Sequence, residues 1–116
     1  MNDNLHSEAI RLLKELISIP SFSKEEHNTA GAITRFLAIK GIEHSRIANN
    51  VFAKNKFYDN SKCTILLNSH HDTVKPNSGY TLDPFSAVER DGRLYGLGSN
   101  DAGGSLVSLI AAFLNY

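Results

Sequence analysis

The last thirteen residues constrain the fold of this chain more than any other stretch. Residues 104–116, GSLVSLIAAFLNY, have helical composition and carry Leu106, Val107, Leu109, Ile110, Ala111, Ala112, Phe113 and Leu114. A helix that is apolar nearly all round has to be covered on nearly every face. The chain must therefore be layered, with other elements packed on this helix. Asn115 and Tyr116 follow with no glycine, cap or polar tail. The expectation is that these 116 residues are the N-terminal portion of a longer protein.

Two further helices are available as cover. Residues 5–19 place Leu5, Ala9, Leu12, Leu13 and Leu16 at helical spacing, with Asp3 or Asn4 as the cap and Pro20 as the stop. Ser23-Lys24-Glu25-Glu26 has the form of a capping box, and Ala30, Ile33, Phe36, Leu37 and Ala38 form the apolar stripe of the helix that follows. Gly41 is its expected left-handed end. His27, near the start of that helix, has no partner nearby in sequence and reads as a solvated or packing residue.

Strands come next. Residues 43–48 and 51–57 read as a pair turned at Asn49-Asn50. Residues 63–67, CTILL, are continuously apolar, which predicts an interior strand covered on both faces. Asp91-Gly92, between short half-apolar runs, predicts a hairpin. The chain thus combines helices with strands: two helices first, then the strands, then the last helix.

Composition excludes several functions. Twelve Lys and Arg balance twelve Asp and Glu, so the formal net charge is zero. No basic field is available to collect nucleic acid or an anionic membrane. No apolar run is long enough to span a bilayer, and the polar, acidic start does not read as a signal peptide. Cys63 is the single cysteine, so no internal disulfide forms, which suits a reducing compartment. At the head of an apolar strand, it reads as a small buried hydrophobe.

Two clusters carry chemistry. In Leu66-Leu67-Asn68-Ser69-His70-His71-Asp72-Thr73 an apolar strand ends in two imidazoles and a carboxylate. Alternation along a strand puts His70 and Asp72 on one side and His71 on the other. A metal-binding imidazole commonly donates its second N–H to a carboxylate, and His-x-Asp supplies that pair. Sites in open α/β sheets gather beyond the carboxyl ends of strands. The second cluster, Tyr95-Gly96-Leu97-Gly98-Ser99-Asn100-Asp101-Ala102-Gly103-Gly104, presents Asp101 from a glycine-rich bend ahead of the last helix. Its two oxygens could bridge two cations, which lie about 3.5–4 Å apart in two-metal hydrolytic sites. Each cluster alone is weak. A lone His-His-Asp is more often structural, and a glycine-rich turn before a helix more often means phosphate binding or tight packing. The phosphate-loop pattern with its lysine is absent.

The order of the motifs is more specific. His70-His71-Asp72, Asp83-Pro84-Phe85, Gly92-Arg93-Leu94-Tyr95-Gly96-Leu97-Gly98 and Asp101, preceded by Ile19-Pro20-Ser21-Phe22-Ser23, resemble the M20 metallopeptidases and deacylases from residue 5 to the C-terminus. The resemblance implies an α/β/α three-layer zinc-peptidase-like catalytic domain with a mixed sheet, of which residues 1–116 form the N-terminal part. It implies that His70 binds one metal, that Asp72, counted with the catalytic residues, orients His70, and that Asp101 bridges two Zn2+ ions, with Co2+ able to substitute. It also implies a cis peptide at Asp101-Ala102. His71 occupies the variable position of the family and is expected to be structural rather than substrate-facing. Many members have Lys where this chain has Gly103.

The family pattern continues with a Glu-Glu pair, a further acidic ligand and a late His. Here no Glu follows Glu89 and no His follows His71, so the chain is expected to hold only part of a metal site and to be inactive alone. The implied activity of the parent is hydrolysis of an N-acyl amide of an amino acid, most like acetylornithine deacetylase of arginine biosynthesis. A succinyl-diaminopimelate desuccinylase or a metallo-dipeptidase or carboxypeptidase is the alternative, and a non-catalytic binding domain with a degenerate metal site is the rival from another class. Expected partners are a small N-acyl amino acid or short peptide, with no nucleic acid and no membrane. The expected location is cytoplasmic; the resemblance allows a homodimeric parent, and the sequence itself leaves the oligomeric state open.

Overall fold

The computed structural model describes residues 3–116. Helix α1 (Asp3–Ser18), helix α2 (His27–Ile39), hairpin β1 (His44–Ile47) and β2 (Asn50–Ala53), hairpin β3 (Val88–Arg90) and β4 (Arg93–Tyr95), and helix α3 (Gly104–Asn115) follow in chain order. The capping role expected of Asp3 or Asn4 falls at the edge of the described residues, because Met1 and Asn2 lie outside them. The architecture is that of a partial α/β domain: helices with two small antiparallel sheets. No described helix is long and apolar enough to cross a membrane.

Helix α1 is the centre of the core. Ala9, Leu12, Leu13, Leu16 and Ile17 are buried, which is the i, i+3, i+4, i+7, i+8 stripe of one helical face. They pack with Ala32, Ile33 and Leu37 of α2 on one side and Val107 and Ala111 of α3 on the other. Helix α2 ends as its glycine predicts. Gly41 has φ 69, its N–H donates to Ala38 O at 3.0 Å, and Ile42 N–H donates to Leu37 O at 3.0 Å, the paired bonds of a Schellman motif.

Several sequence expectations are corrected. Helix α2 starts at His27 with Glu26 at its cap position and no side-chain cap bond, so the capping box at Ser23 does not form; the Ser23 hydroxyl is committed to Asp72 instead. Ala38 is exposed, while Thr29 and Ala32 join the buried face. The first hairpin turns at Ala48-Asn49, because Ile47 pairs with Asn50. Residues 63–67 have no ladder partner. Ile65 is 84% and Leu66 83% exposed, and Cys63 is exposed too, because no neighbouring strand lies beside this stretch among the described residues. The all-round apolar α3 buries Val107 and Ala111 fully; the rest of its apolar residues are half-buried.

The second hairpin forms where expected. Asp91 and Gly92 take φ 53 and 70, the left-handed pair that a two-residue type I′ turn requires, and Val88 pairs with Tyr95.

Candidate metal centre

The two clusters meet. His70 Nε2 lies 3.1 Å from Asp101 Oδ1, and His70 Nδ1 lies 3.0 Å from Asp72 Oδ1 and 3.2 Å from the Asp72 carbonyl oxygen. A carbonyl oxygen only accepts, so Nδ1 carries a proton; the Asp101 carboxylate also only accepts, so its contact with Nε2 is a hydrogen bond when the imidazole is protonated on that side as well. His70 is half exposed and Asp101 largely exposed, at the rim of a cleft of about 370 Å³ that also touches Thr73, Tyr80 and Gly98.

Burial would lower the His70 pKa, but the Asp72 carbonyl and the Asp101 and Asp72 carboxylates outweigh it and hold the imidazole above its ordinary value. The Ser23 hydroxyl, helped by the charge and N–H of His70, holds the Asp72 carboxyl below the usual range. Asp72 is thus a carboxylate with both oxygens engaged.

The extended segment carrying His70 is anchored from the helical side. Ser21 is buried; its Oγ donates to His71 O at 2.9 Å, and its carbonyl accepts Thr73 N–H at 2.8 Å. Phe22 and Thr73 form an isolated parallel bridge. His71 turns away from the pair. Its Nε2 faces the Asn49 carbonyl at 2.9 Å and its Nδ1 the Thr29 hydroxyl at 2.8 Å, so it joins α2 to the first hairpin turn. His27 is also outside the pair, 2.9 Å from an Arg46 guanidinium nitrogen.

Asp101 is delivered by an irregular bend, residues 99–103, with φ −128 and ψ 95 at Asp101 itself. The Asp101-Ala102 peptide is cis. Close packing sets this bend. Gly98 has φ 76, and a Cβ there would stand 2.6 Å from Thr73 Cγ2. A Cβ on Gly103 would stand 2.6 Å from Leu13 Cδ1 and 2.8 Å from Gly98 O. The glycine that stands where many M20 sequences have Lys therefore fills a place with no room for a side chain. The Asp83-Pro84-Phe85 motif supports the approach: Asp83 Oδ1 accepts Phe85 N–H at 2.9 Å, Leu97 N–H donates to Pro84 O at 2.7 Å, and the Phe85 ring tilts against Phe22.

The donors suit zinc, which takes imidazole nitrogen and carboxylate oxygen. They are two, where a catalytic zinc has three protein ligands, and the described residues hold no group of three or more His, Cys, Asp or Glu arranged for a metal. Ser21, Ser23, Thr29 and Asn49 were not identified from sequence. Ser21 and Ser23 lie inside the Ile-Pro-Ser segment, which is the one signal that could have pointed to them.

Residues 66–116 match the family model described as Peptidase family M20/M25/M40. Over 111 residues the chain is 31% identical to a succinyl-diaminopimelate desuccinylase of Nitratiruptor sp., covering 92% of this chain and 28% of the relative. A protein of the same name from Buchnera aphidicola is 30% identical over 115 residues, 97% of this chain and 30% of the relative. A probable carboxypeptidase of Aspergillus flavus is 33% identical over 117 residues, 88% of this chain and 26% of the relative. The chain thus spans less than a third of the length of these curated relatives. They carry desuccinylase and carboxypeptidase names rather than the deacetylase name expected from the motifs.

Proposed function

We propose that this chain is the N-terminal portion of the catalytic domain of an M20-family hydrolase, and that the full-length protein cleaves the N-acyl amide of an amino acid in a metal-dependent reaction. A succinyl-diaminopimelate desuccinylase-like activity is favoured over the acetylornithine deacetylase-like one, because relatives matching along nearly the whole chain bear the former name. A carboxypeptidase reading is second, on the fungal relative. The observation that carries the proposal is the 3.1 Å approach of His70 Nε2 and Asp101 Oδ1, side chains 31 positions apart in sequence.

In this reading His70 and Asp101 would be the residues of this chain that hold Zn2+, two ions in a complete site, with Co2+ able to replace them. When bound, such ions acidify water and polarise an acyl carbonyl. The residues of this chain do the preparation. Asp72 keeps the His70 proton on Nδ1, so that Nε2 presents an electron pair. The contacts of Gly103 with Leu13 and Gly98 hold the bend that carries Asp101 against α1. The remaining ligands and the glutamate base come from polypeptide outside this chain. Cytoplasmic location and a homodimeric parent belong to the same proposal.

The test uses the full-length protein with zinc, offered N-succinyl-diaminopimelate, N-acetylornithine and a dipeptide. The expected result is preferred cleavage of the succinyl amide, with His70→Ala and Asp101→Ala each slowing it by at least the ~10²–10³ attached to removing one group that stabilises the transition state. Absence of cleavage of all three, with zinc binding untouched by either variant, would leave the non-catalytic binding domain as the better reading.

A further inference from the structure

Ser23 stands on the exposed turn between α1 and α2, yet it is bonded to the site. Its hydroxyl donates to Asp72 Oδ2, 49 positions away in sequence. Asp72 Oδ1 faces His70 Nδ1, and His70 Nε2 faces Asp101. Four side chains thus stand in one line from the turn to the candidate metal centre.

The turn is built to deliver that hydroxyl. Lys24 adopts φ 74, a conformation costly for a residue with a Cβ and found where surrounding structure enforces it. Glu25 N–H closes the turn on Phe22 O at 2.7 Å. The residues just before Ser23 are held against the segment that carries Asp72, Ser21 against residues 71 and 73 and Phe22 against Thr73. The segment therefore grips the backbone on both sides of Asp72, through the hydroxyl and the carbonyl of Ser21, and touches the Asp72 side chain through Ser23.

A carboxylate bonded through one oxygen can still turn about its Cβ–Cγ bond. Packing does not prevent this in Asp72, which is only partly buried. A donor on the second oxygen does. We propose that Ser23 is a positioning residue: by holding Asp72 Oδ2 it fixes the plane of the carboxylate, which keeps the His70 Nδ1–H bonded to Asp72 Oδ1 and aims Nε2 at Asp101. The proposal rests on the reading of His70 and Asp101 as metal ligands.

The test compares Ser23→Ala, Ser23→Thr and His70→Ala in the full-length protein. With zinc bound, NMR of nitrogen-labelled histidine reads the exchange of the His70 Nδ1 proton with solvent; competition titration with a chelator reads zinc affinity. Ser23→Ala is expected to speed exchange of that proton and to bind zinc about 10-fold more weakly, the scale for losing a group behind a ligand. Ser23→Thr, which keeps the hydroxyl at an exposed position, is expected to restore both. Unchanged proton exchange and affinity in Ser23→Ala, or equal damage in Ser23→Ala and Ser23→Thr, overturns the proposal while His70→Ala still abolishes binding at that position. If His70→Ala leaves zinc binding intact, the ligand reading itself fails, and Ser23 has nothing to position.

Discussion

The helical layer and the stretch leading to His70 treat the same kinds of side chain in opposite ways. In α1, Leu12 is 2% and Ile17 4% exposed, while Ile65 and Leu66 are more than 80% exposed. The difference lies in where each backbone finds its hydrogen bonds. A helix satisfies its N–H and C=O groups within its own segment and needs neighbours only for its apolar face; α1 finds them in α2 and α3. A strand needs another strand at its edge before it is complete, and residues 63–67 have none. The candidate metal centre sits at the join. His70 comes from the unsupported side, but Ser21, Ser23 and Thr29 on the helical side hold its surroundings in place.

The sharpest test of this contrast pairs one substitution from each region. Leu16→Ala should destabilise the 116-residue chain by about 2–5 kcal/mol, the range for emptying a buried leucine site. Leu66→Lys should change it by no more than about 0.5 kcal/mol, as for exposed positions. Urea denaturation of the three proteins reads both. In the full-length protein the contrast should vanish, because the proposed interior strand would be covered there and Leu66→Lys should then cost more than about 2 kcal/mol. A large cost in the 116-residue chain would instead mean that copies of the chain cover the strand, and the denaturation midpoint would then depend on protein concentration.

A smaller effect is expected where the bend meets α1. Gly103→Ala places a Cβ against both a leucine methyl and a backbone oxygen, and overpacking of this kind costs about 1–3 kcal/mol. Gly92→Ala, where a Cβ meets nothing within 4 Å, strains only the backbone through its φ of 70. Comparing the two by thermal melting separates close packing from conformational strain. Zinc affinity should fall in Gly103→Ala and not in Gly92→Ala, because only the first displaces the bend that carries Asp101.

What the sequence made legible follows the same division. Periodicity identified α1 and α3, Gly41 marked the end of α2, and Asp91-Gly92 marked the second hairpin, because each signal acts within a few residues. Continuous hydrophobicity in 63–67 said that the stretch should be buried, but not against what, since pairing is non-local. The turn of the first hairpin lies one residue earlier than expected. Ala48 takes φ 52 where an asparagine stood ready, and Asn49 spends its side chain on Glu26 and its carbonyl on His71. Ser23 misled in the same way: its sequence fits a cap, but a partner 49 residues on takes its hydroxyl. Motif order brought His70, Asp72 and Asp101 together on paper; the residues that hold them were visible only in three dimensions.

The smallest expected effect concerns the one described ion pair between α1 and the second hairpin. Lys14 Nζ lies 2.7 Å from Glu89 Oε2, with both side chains substantially exposed. The hydrogen bond from Lys14, and then its charge, hold the Glu89 carboxyl below the ordinary glutamate range. A folded-state pKa below the unfolded one means that the unfolded chain takes up the proton first as pH falls. The pair's contribution is therefore complete above the unfolded glutamate value, near 4.3, and disappears as pH drops through the lower folded value. Wild type and Glu89→Gln should differ slightly at neutral pH and converge in acid. The neutral-pH difference should also shrink in high salt, since exposed pairs are screened. A difference that persists in acid and in salt would show that Glu89 supports the hairpin through packing, and the tie between the two regions would then be apolar rather than ionic.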